Sequence, residues 1–197
     1  MTQFEQLDLL MEECQGTIQT SQVLKNGISK PTFYSYVKER GLEQFSHGVY
    51  VSPDTWIDAI YLLHLRCGQA IFSHETALFF HDLTDREPLK YSITVKTGYN
   101  PSRLREDGFQ VYTVKQDLHD LGITTMQTPF GHSVPVYDME RTICDLLRSR
   151  RNIDIQVFQD ALKQYVKRKD KNLRMLMKYT SKFHVEKILR PYLEVLL

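Results

Sequence analysis

The chain has 197 residues, of which 42% are hydrophobic and 25% are charged, a balance typical of a soluble globular protein and unlike that of a disordered chain. Its longest apolar runs are far too short to span a membrane, and its first residues lack the basic segment and apolar core of a secretion signal. We therefore expect a cytoplasmic protein that makes no membrane contact, built as one domain or as a small module followed by a medium one.

The cysteines and histidines are scattered along the chain. Cys14, Cys67 and Cys144 show none of the paired spacings that bind zinc, and we expect them to lie in the core of a reduced protein. The sequence therefore predicts neither a metal site nor a cofactor.

Three short helical patterns follow one another in the first forty residues. A helix over residues 3–14 is predicted by an apolar stripe at helical spacing: Phe4, Leu7, Leu10, Met11 and Cys14. A second helix fits residues 21–25, with Thr20 as its N-cap. Asn26-Gly27-Ile28 then predicts a tight turn, and Ser29 can cap a third helix that tolerates Pro31 in its first turn.

This order predicts a helix-turn-helix, and residues 42–51 add a hairpin with a glycine-containing turn, which would be a wing. The third helix would enter the major groove of DNA. The residues expected to contact bases and nearby phosphates are Lys30, Thr32, Tyr34, Ser35 and Lys38, and those expected to approach the backbone beside the groove are Arg40 and His47.

The charge of this module is mixed. Residues 1–52 hold four cations against six acids, because the first helix is acidic, and a protein-binding module is therefore the alternative. The cations, however, all fall between the second helix and the wing, where a DNA-facing surface needs them. The sequence thus favours DNA binding.

A larger domain follows, and we place the boundary at Ser52-Pro53. Short strands are predicted near residues 70–72, 91–95 and 109–114, and a hairpin near residues 124–136. A helix capped by Asp138 and a helical tail complete the domain. The predicted fold is α+β, with a winged helix-turn-helix over residues 1–52 and a mixed α/β domain with C-terminal helices over residues 53–197.

Catalytic patterns are not evident in the second domain. Glu75, Asp138, Glu140 and Asp145 could be assembled into a metal site, but helix caps and surface pairs explain them better, since each lies at a helix start or one turn into it. Arg141 and Asp145 are four residues apart and are expected to pair. The alternative to a non-enzymatic DNA-binding protein is an enzyme, a nuclease or nucleotidyltransferase that the winged module would target to its substrate.

The tail is strongly basic. Residues 148–190 contain thirteen Lys or Arg and four acids, a local net charge of +9 in a chain whose net charge is +1. This asymmetry points to an anionic partner. A second DNA-tracking surface is predicted at Lys163, Lys167, Lys171, Arg174 and Lys178, although the same tail could instead face another nucleic acid.

Two stretches of the chain together resemble a known family. Residues 16–24 and 27–34, with Arg40-Gly41-Leu42 and Gly48-Val49-Tyr50-Val51, resemble the N-terminal domain of AbiEi antitoxins of bacterial abortive-infection systems. Residues 73–78, 93–95 and 137–145 are similar to the second-domain signatures of that family. The resemblance covers about residues 4–147, and the basic tail matches by position only.

The resemblance implies two activities. The N-terminal module would bind repeats in the promoter of its own operon and repress it, and the second domain would counteract a nucleotidyltransferase-like toxin without a stable complex. A DNA-binding regulator with no toxin partner is a further alternative. A monomer that pairs on repeated DNA sites and a dimer both remain open, because no heptad pattern marks a coiled coil.

Overall fold

The computed structural model describes residues 2–196, and the chain divides into two compact units, Met1–Gly68 and Gln69–Leu197. Both units mix helices and strands, and the second ends in helices, as the sequence predicts. The predicted boundary at Ser52-Pro53 falls inside the first unit, because the helix that follows it packs Leu62 against Val49 and Val51. Among residues 2–196, no helix combines the length and the apolar character needed to cross a membrane.

Helices surround a small sheet in the first unit. Its elements in chain order are α1 (Gln3–Glu13), β1 (Thr17–Gln19), α2 (Thr20–Lys25), α3 (Lys30–Arg40), β2 (Glu43–Ser46), β3 (Val49–Val51) and α4 (Ala59–Arg66). The strands are antiparallel in the order β1-β3-β2, so β3 is central. The three predicted helices and the hairpin are confirmed, whereas β1 has no counterpart in the sequence prediction.

The central strand β3 separates two apolar clusters, because successive residues of a strand point to opposite faces. On one face, Tyr50 joins the core of the helices, which consists of Leu7, Met11, Ile18, Val23, Ile28, Phe33 and Tyr36. On the other face, Val49 and Val51 pack against α4. The short hairpin is therefore fixed by packing on both of its sides.

The start of α2 differs from the sequence prediction. The helix is capped by Gln19, whose backbone N–H donates to Oε1 of Gln22 at 3.0 Å, and not by Thr20. The Thr20 N–H instead donates to the carbonyl of Gly48 at 2.8 Å and so continues the pairing between β1 and β3. Strand and helix are thus joined without an intervening loop.

The second unit has a five-stranded mixed sheet and several helices. Its elements are β4 (Ile71–Phe72), α5 (His74–Phe80), β5 (Ser92–Lys96), α6 (Ser102–Glu106), β6 (Gln110–Val114), α7 (Gln116–His119), β7 (Ile123–Gln127), β8 (Ser133–Tyr137), α8 (Met139–Arg148), α9 (Ile155–Lys167), α10 (Leu173–Phe183) and α11 (Glu186–Leu196). The sheet order is β6-β5-β4-β8-β7, with β4 parallel to β8 and antiparallel to β5.

Cys67 and Cys144 are buried as expected, and Cys14 is half-buried.

A fully buried arginine lies at the centre of the second unit. Nε of Arg141 on α8 donates to Asp145 at 3.0 Å, and Nη1 donates to the carbonyls of Leu118 and Leu121. The guanidinium carbon lies 4.0 Å from the ring centroid of Tyr137 and 4.2 Å from that of Phe183. The predicted Arg141–Asp145 pair is therefore confirmed, but it is a core interaction.

Two acids at the N-terminal end of α8 accept hydrogen bonds from the C-terminal helices and the loop between them. Asp138 caps α8, as predicted, and its Oδ2 accepts a hydrogen bond from Tyr179 of α10 at 3.1 Å. Glu140 is buried, and its Oε1 accepts from the Tyr165 hydroxyl of α9 at 3.0 Å and from the Asn172 N–H at 2.7 Å. The prediction of surface pairs is wrong for Glu140 and Asp145, because both carboxylates are buried: Glu140 bonds to Tyr165 and Asn172 of the tail, and Asp145 pairs with Arg141.

Replacing Arg141 by Met should lower the free energy of unfolding by about 3–5 kcal/mol, because Asp145 would be left buried without its charged partner. Burial raises the pKa of Asp145, and the charge and hydrogen bond of Arg141 oppose that rise and favour the ionised carboxylate. Urea unfolding followed by circular dichroism measures the loss.

The matched control is Arg168→Met, which removes the more exposed pair with Asp170 and should leave stability nearly unchanged. Adding Asp145→Leu to Arg141→Met should recover part of the loss, since the orphaned charge is then gone. Equal losses in Arg141→Met and Arg168→Met would show that the buried pair does not stabilise the fold.

Candidate nucleic-acid interface

Helix α3 is positioned by its cap and by its buried face. The Ser29 hydroxyl accepts from the Thr32 N–H at 3.3 Å, and Pro31 occupies the first turn. Phe33 and Tyr36 are buried in the core of the first unit. Because residues three and four apart share a face of a helix, the burial of these two side chains decides which residues point outward.

The outward face of α3 carries most of the residues predicted to contact DNA. Lys30, Tyr34 and Lys38 lie one turn apart along it and are exposed, and Ser35 is exposed beside them. The structure therefore brings four of the seven predicted residues together on one helix face. Thr32 is half-buried, and its hydroxyl lies 2.9 Å from that of Ser29, so its role within the unit is to support the cap.

Aromatic packing holds Tyr34 in place. Its ring is 49% exposed, and its centroid lies 6.4 Å from that of Tyr50 on β3. Tyr50 in turn packs edge-on against Phe33 at 5.2 Å. Burial and the neighbouring Tyr34 raise the pKa of Tyr50. Tyr34 therefore presents an exposed ring from a fixed position, as a group that contacts a ligand needs to do.

Arg40 has a partner inside the first unit. Its Nη2 donates to Oδ2 of Asp8 on α1 at 2.7 Å, and the Tyr36 hydroxyl donates to Oδ1 of the same carboxylate at 2.8 Å. Burial, with Asp8 as the next cause, raises the pKa of Tyr36 to about 12. This three-residue cluster connects the end of α3 to α1, a contact that the sequence did not indicate. His47 lies apart from the cluster, on the exposed β2–β3 turn.

The predicted basic surface of the tail is divided between two environments. Lys163 and Lys167 of α9 line a cavity of about 450 Å³ together with Asp82, Asp85 and Asp160. Nζ of Lys171 donates to the carbonyl of Arg168 at 3.0 Å. By contrast, Arg174 and Lys178 are exposed on α10, a helix without acidic residues.

Sequence reasoning missed one member of the α10 row. Lys182 lies one turn beyond Lys178 and is exposed, so Arg174, Lys178 and Lys182 form a line of three cations at i, i+4 and i+8. The opposite face of α10 buries Leu176, Tyr179, Thr180 and Phe183. Helical spacing from these apolar residues is the signal that could have found Lys182.

A buried relay of polar side chains connects β5, α5 and α8. The Thr94 hydroxyl donates to the Ser73 hydroxyl at 2.8 Å, which leaves the Ser73 hydrogen for Nδ1 of His74 at 2.9 Å. Nε2 of His74 then carries the proton and faces the Ser149 hydroxyl at 3.0 Å. Ser149 accepts in this arrangement, so the pair is not oriented as a nucleophile with its general base.

Burial keeps this histidine neutral. His74 is 3% exposed and stacks on Tyr112 with ring centroids 3.5 Å apart. Burial lowers the pKa of His74 to about 3, with smaller contributions from Arg141 and Arg148. Residues 2–196 contain no cluster of three or more His, Cys, Asp or Glu side chains that could hold a metal ion.

The comparison with known proteins shows a similarity of fold. No protein-family model matches the sequence, and no curated protein matches it. The structure is similar to the crystal structure of the RV2827C protein from Mycobacterium tuberculosis, with a TM-score of 0.59 and 13% sequence identity over 88% of this chain and 69% of that chain. At this identity the likeness concerns the fold alone.

The relay predicts a pH dependence of stability. The folded-state pKa of His74 is about 3 and the ordinary value is 6.5, so the unfolded chain binds more protons between these pH values. The stability that neutral His74 contributes is therefore fully present above pH 6.5. As the pH falls below that value, this contribution to the free energy of unfolding is lost by about 1.4 kcal/mol per pH unit. Urea unfolding from neutral to acidic pH measures how the free energy of unfolding depends on pH. In His74→Gln this dependence should correspond to the uptake of one proton fewer on unfolding than in the wild type.

The substitution also changes stability at neutral pH, but that offset does not depend on pH. The control is His47→Gln on the exposed β2–β3 turn, which should keep the wild-type pH profile. A His74→Gln profile parallel to that of the wild type would show that His74 is not buried in the neutral form.

Proposed function

We propose that the first unit is a winged helix-turn-helix that binds double-stranded DNA, and that the protein is the autorepressor and antitoxin of a bacterial abortive-infection operon. The observation that carries the DNA-binding part is the outward face of α3, where Lys30, Tyr34, Ser35 and Lys38 are exposed together. The antitoxin part depends on the resemblance of residues 4–147 to AbiEi antitoxins.

The order of elements supports a winged module. In α1-β1-α2-α3-β2-β3, the turn at Asn26-Gly27 separates α2 from α3, and the β2–β3 hairpin follows directly. The three antiparallel strands give this hairpin a base. In such modules the second helix of the pair enters the major groove, which assigns α3 to the base edges.

The chemistry of the α3 face fits a DNA contact. Lysine ammonium groups meet phosphates, while a serine hydroxyl and a tyrosine can meet either phosphates or bases. The guanidinium of Arg40 is already bound to Asp8, so we expect Arg40 to position α3 more than to contact phosphate. His47, at the tip of the hairpin, is the candidate for a backbone contact beside the groove.

We further propose that α10 contacts the phosphate backbone. With a rise of about 1.5 Å per residue, its three exposed cations span about 12 Å, a length along which one DNA strand carries several phosphates. The interactions of Asp138 and Arg141 hold α10 rigidly against α8. Lys163 and Lys167 contribute less in this assignment, because the cavity that they line with Arg86 also holds three aspartates, which offset their charge.

A titration tests the proposal as a whole. The protein is mixed with the DNA upstream of its own gene and with a scrambled sequence of equal length, at two salt concentrations. Tight binding that prefers the upstream DNA and weakens with salt is expected. Equal and weak binding to both DNAs would remove DNA recognition from the first unit, and α3 would then be a protein-contact surface.

Replacing Lys38 by Ala should weaken binding to both DNAs and reduce the slope of log affinity against log salt by about 1, because one phosphate contact is lost. Fluorescence anisotropy over a salt series measures this slope. Arg40→Ala should change it less, since Asp8 already neutralises that guanidinium. The matched control is Lys25→Ala at the exposed end of α2, and an equal effect of Lys25→Ala and Lys38→Ala would argue against a specific role of α3.

Replacing Arg174, Lys178 and Lys182 together by Ala should reduce the salt slope by up to about 3 and leave the preference for the upstream DNA unchanged. The matched control is Lys163→Ala with Lys167→Ala in the mixed-charge cavity. A larger effect of the control would move the second surface to α9. Surface substitutions suit this test better than truncation after Ser149, because α9 and α10 complete the core of the second unit.

A further inference from the structure

The outer strand β7 of the second sheet leaves one side of its backbone unpaired. At its two ends, the Asp138 N–H donates to the carbonyl of Gly122 at 2.7 Å, and the Thr128 N–H donates to the carbonyl of His132 at 2.8 Å. Successive residues of an antiparallel strand direct their backbone groups to opposite sides, so every second residue between these ends points away from β8. The residues that point outward are Ile123, Thr125 and Gln127. Within residues 2–196, their N–H and C=O groups have no hydrogen-bond partner.

The side chains of the same three residues are also uncovered. Ile123 is 42% exposed, and Thr125 and Gln127 are exposed on the same face of the strand. Thr124 and Met126 on the opposite face are half-buried. A further strand can therefore reach β7 along its edge and cover this face, as in recognition by strand addition.

The sequence does not protect this edge. Edge strands usually carry charged side chains, proline or a β-bulge, which hinder pairing with another strand. Residues 121–137 contain the whole β7–β8 hairpin and have no Lys, Arg, Asp or Glu, although 25% of the chain is charged. The outer strand β2 of the first unit, by contrast, contains Glu43 and has an irregular register between Gln44 and Ser46. β7 contains no charge and no proline, and its register with β8 is unbroken.

A second copy of the chain supplies a matching strand. When two β7 strands pair antiparallel around Thr125, each Thr125 faces the Thr125 of the other copy, and each Ile123 faces Gln127. All three outward residues of one copy then meet the three outward residues of the other, so each N–H finds a C=O. A shift of two residues in either direction would leave one of the three without a partner in β7. Because the strand is uncharged, this pairing brings no like charges together.

We propose that β7 is the interface of a homodimer, in which two five-stranded sheets join edge to edge into one continuous sheet. A two-fold axis through the Thr125 pair makes the contact self-complementary. The assembly uses neither α3 nor α10 and does not require DNA, so it can be tested separately from the proposed function.

Sedimentation velocity of the full chain, without DNA and over a range of concentrations, measures the dimer dissociation constant. Thr125→Pro should raise this constant about tenfold or more, because each copy loses an outward N–H and two proline rings face each other. The lost N–H does not take part in the pairing with β8, so the hairpin should stay folded, which circular dichroism checks. The matched control is Thr125→Val, which keeps the N–H and the branched side chain and should dimerise like the wild type.

Cysteine cross-linking tests the register. The two Thr125 Cα atoms would lie about 5.5 Å apart, so Thr125→Cys should form a disulfide between copies under mild oxidation. Gln127→Cys should not, because its two copies would lie about 13 Å apart along the strands.

Equal cross-linking of Thr125→Cys and Gln127→Cys, or a dimer that Thr125→Pro leaves unchanged, would overturn the proposal. A chain that stays monomeric at its highest soluble concentration would also overturn it, and the edge would then be left to a strand of another protein.

Discussion

The buried guanidinium of Arg141 is the interaction on which the second unit depends. An arginine taken out of water needs a counter-charge and acceptors for its donors. Asp145 accepts from Nε and the carbonyls of Leu118 and Leu121 accept from Nη1, whereas Nη2 is buried without a hydrogen-bond partner among the described residues. The rings of Phe183 on α10 and Tyr137 on β8 both pack against the guanidinium group. One side chain thereby connects the sheet, α7 and the loop after it, helix α8 and the tail, so the position of α10 is fixed by the core.

This arrangement changes how the residues of α8 are interpreted. Asp138, Glu140, Arg141 and Asp145 carry the resemblance to the antitoxin family in this part of the chain, and all four are used inside the second unit as a cap, an anchor or an ion pair. A surface that acts on a partner must therefore come from other residues. The exposed cations of α10 lie on a helix that this cluster holds directly, through Tyr179 and Phe183.

Sequence reasoning predicted most elements because their signals are local. The cap at Ser29, the turn at Gly27 and the apolar spacing of α1 and α8 are readable without tertiary information. Strand β1 is three residues long, which is too short for an alternating pattern. It forms because its backbone pairs with β3 through antiparallel hydrogen bonds. The same limit applies to the site, where the partner of Arg40 is Asp8, thirty-two residues earlier in the chain.

Long-range contacts also decide which charges are available to a ligand. A count along residues 148–190 treats all cations alike, yet Lys163 and Lys167 share a cavity with three aspartates, whereas Arg174, Lys178 and Lys182 share a helix face with none. The acid-free row follows from α10 burying its apolar side through Tyr179 and Phe183. A polyanion is attracted by the local field of a surface, and that field is set by the neighbours that folding brings to each cation. This is the reason for proposing the second surface on α10, whose exposed cations share their helix with no acidic residue.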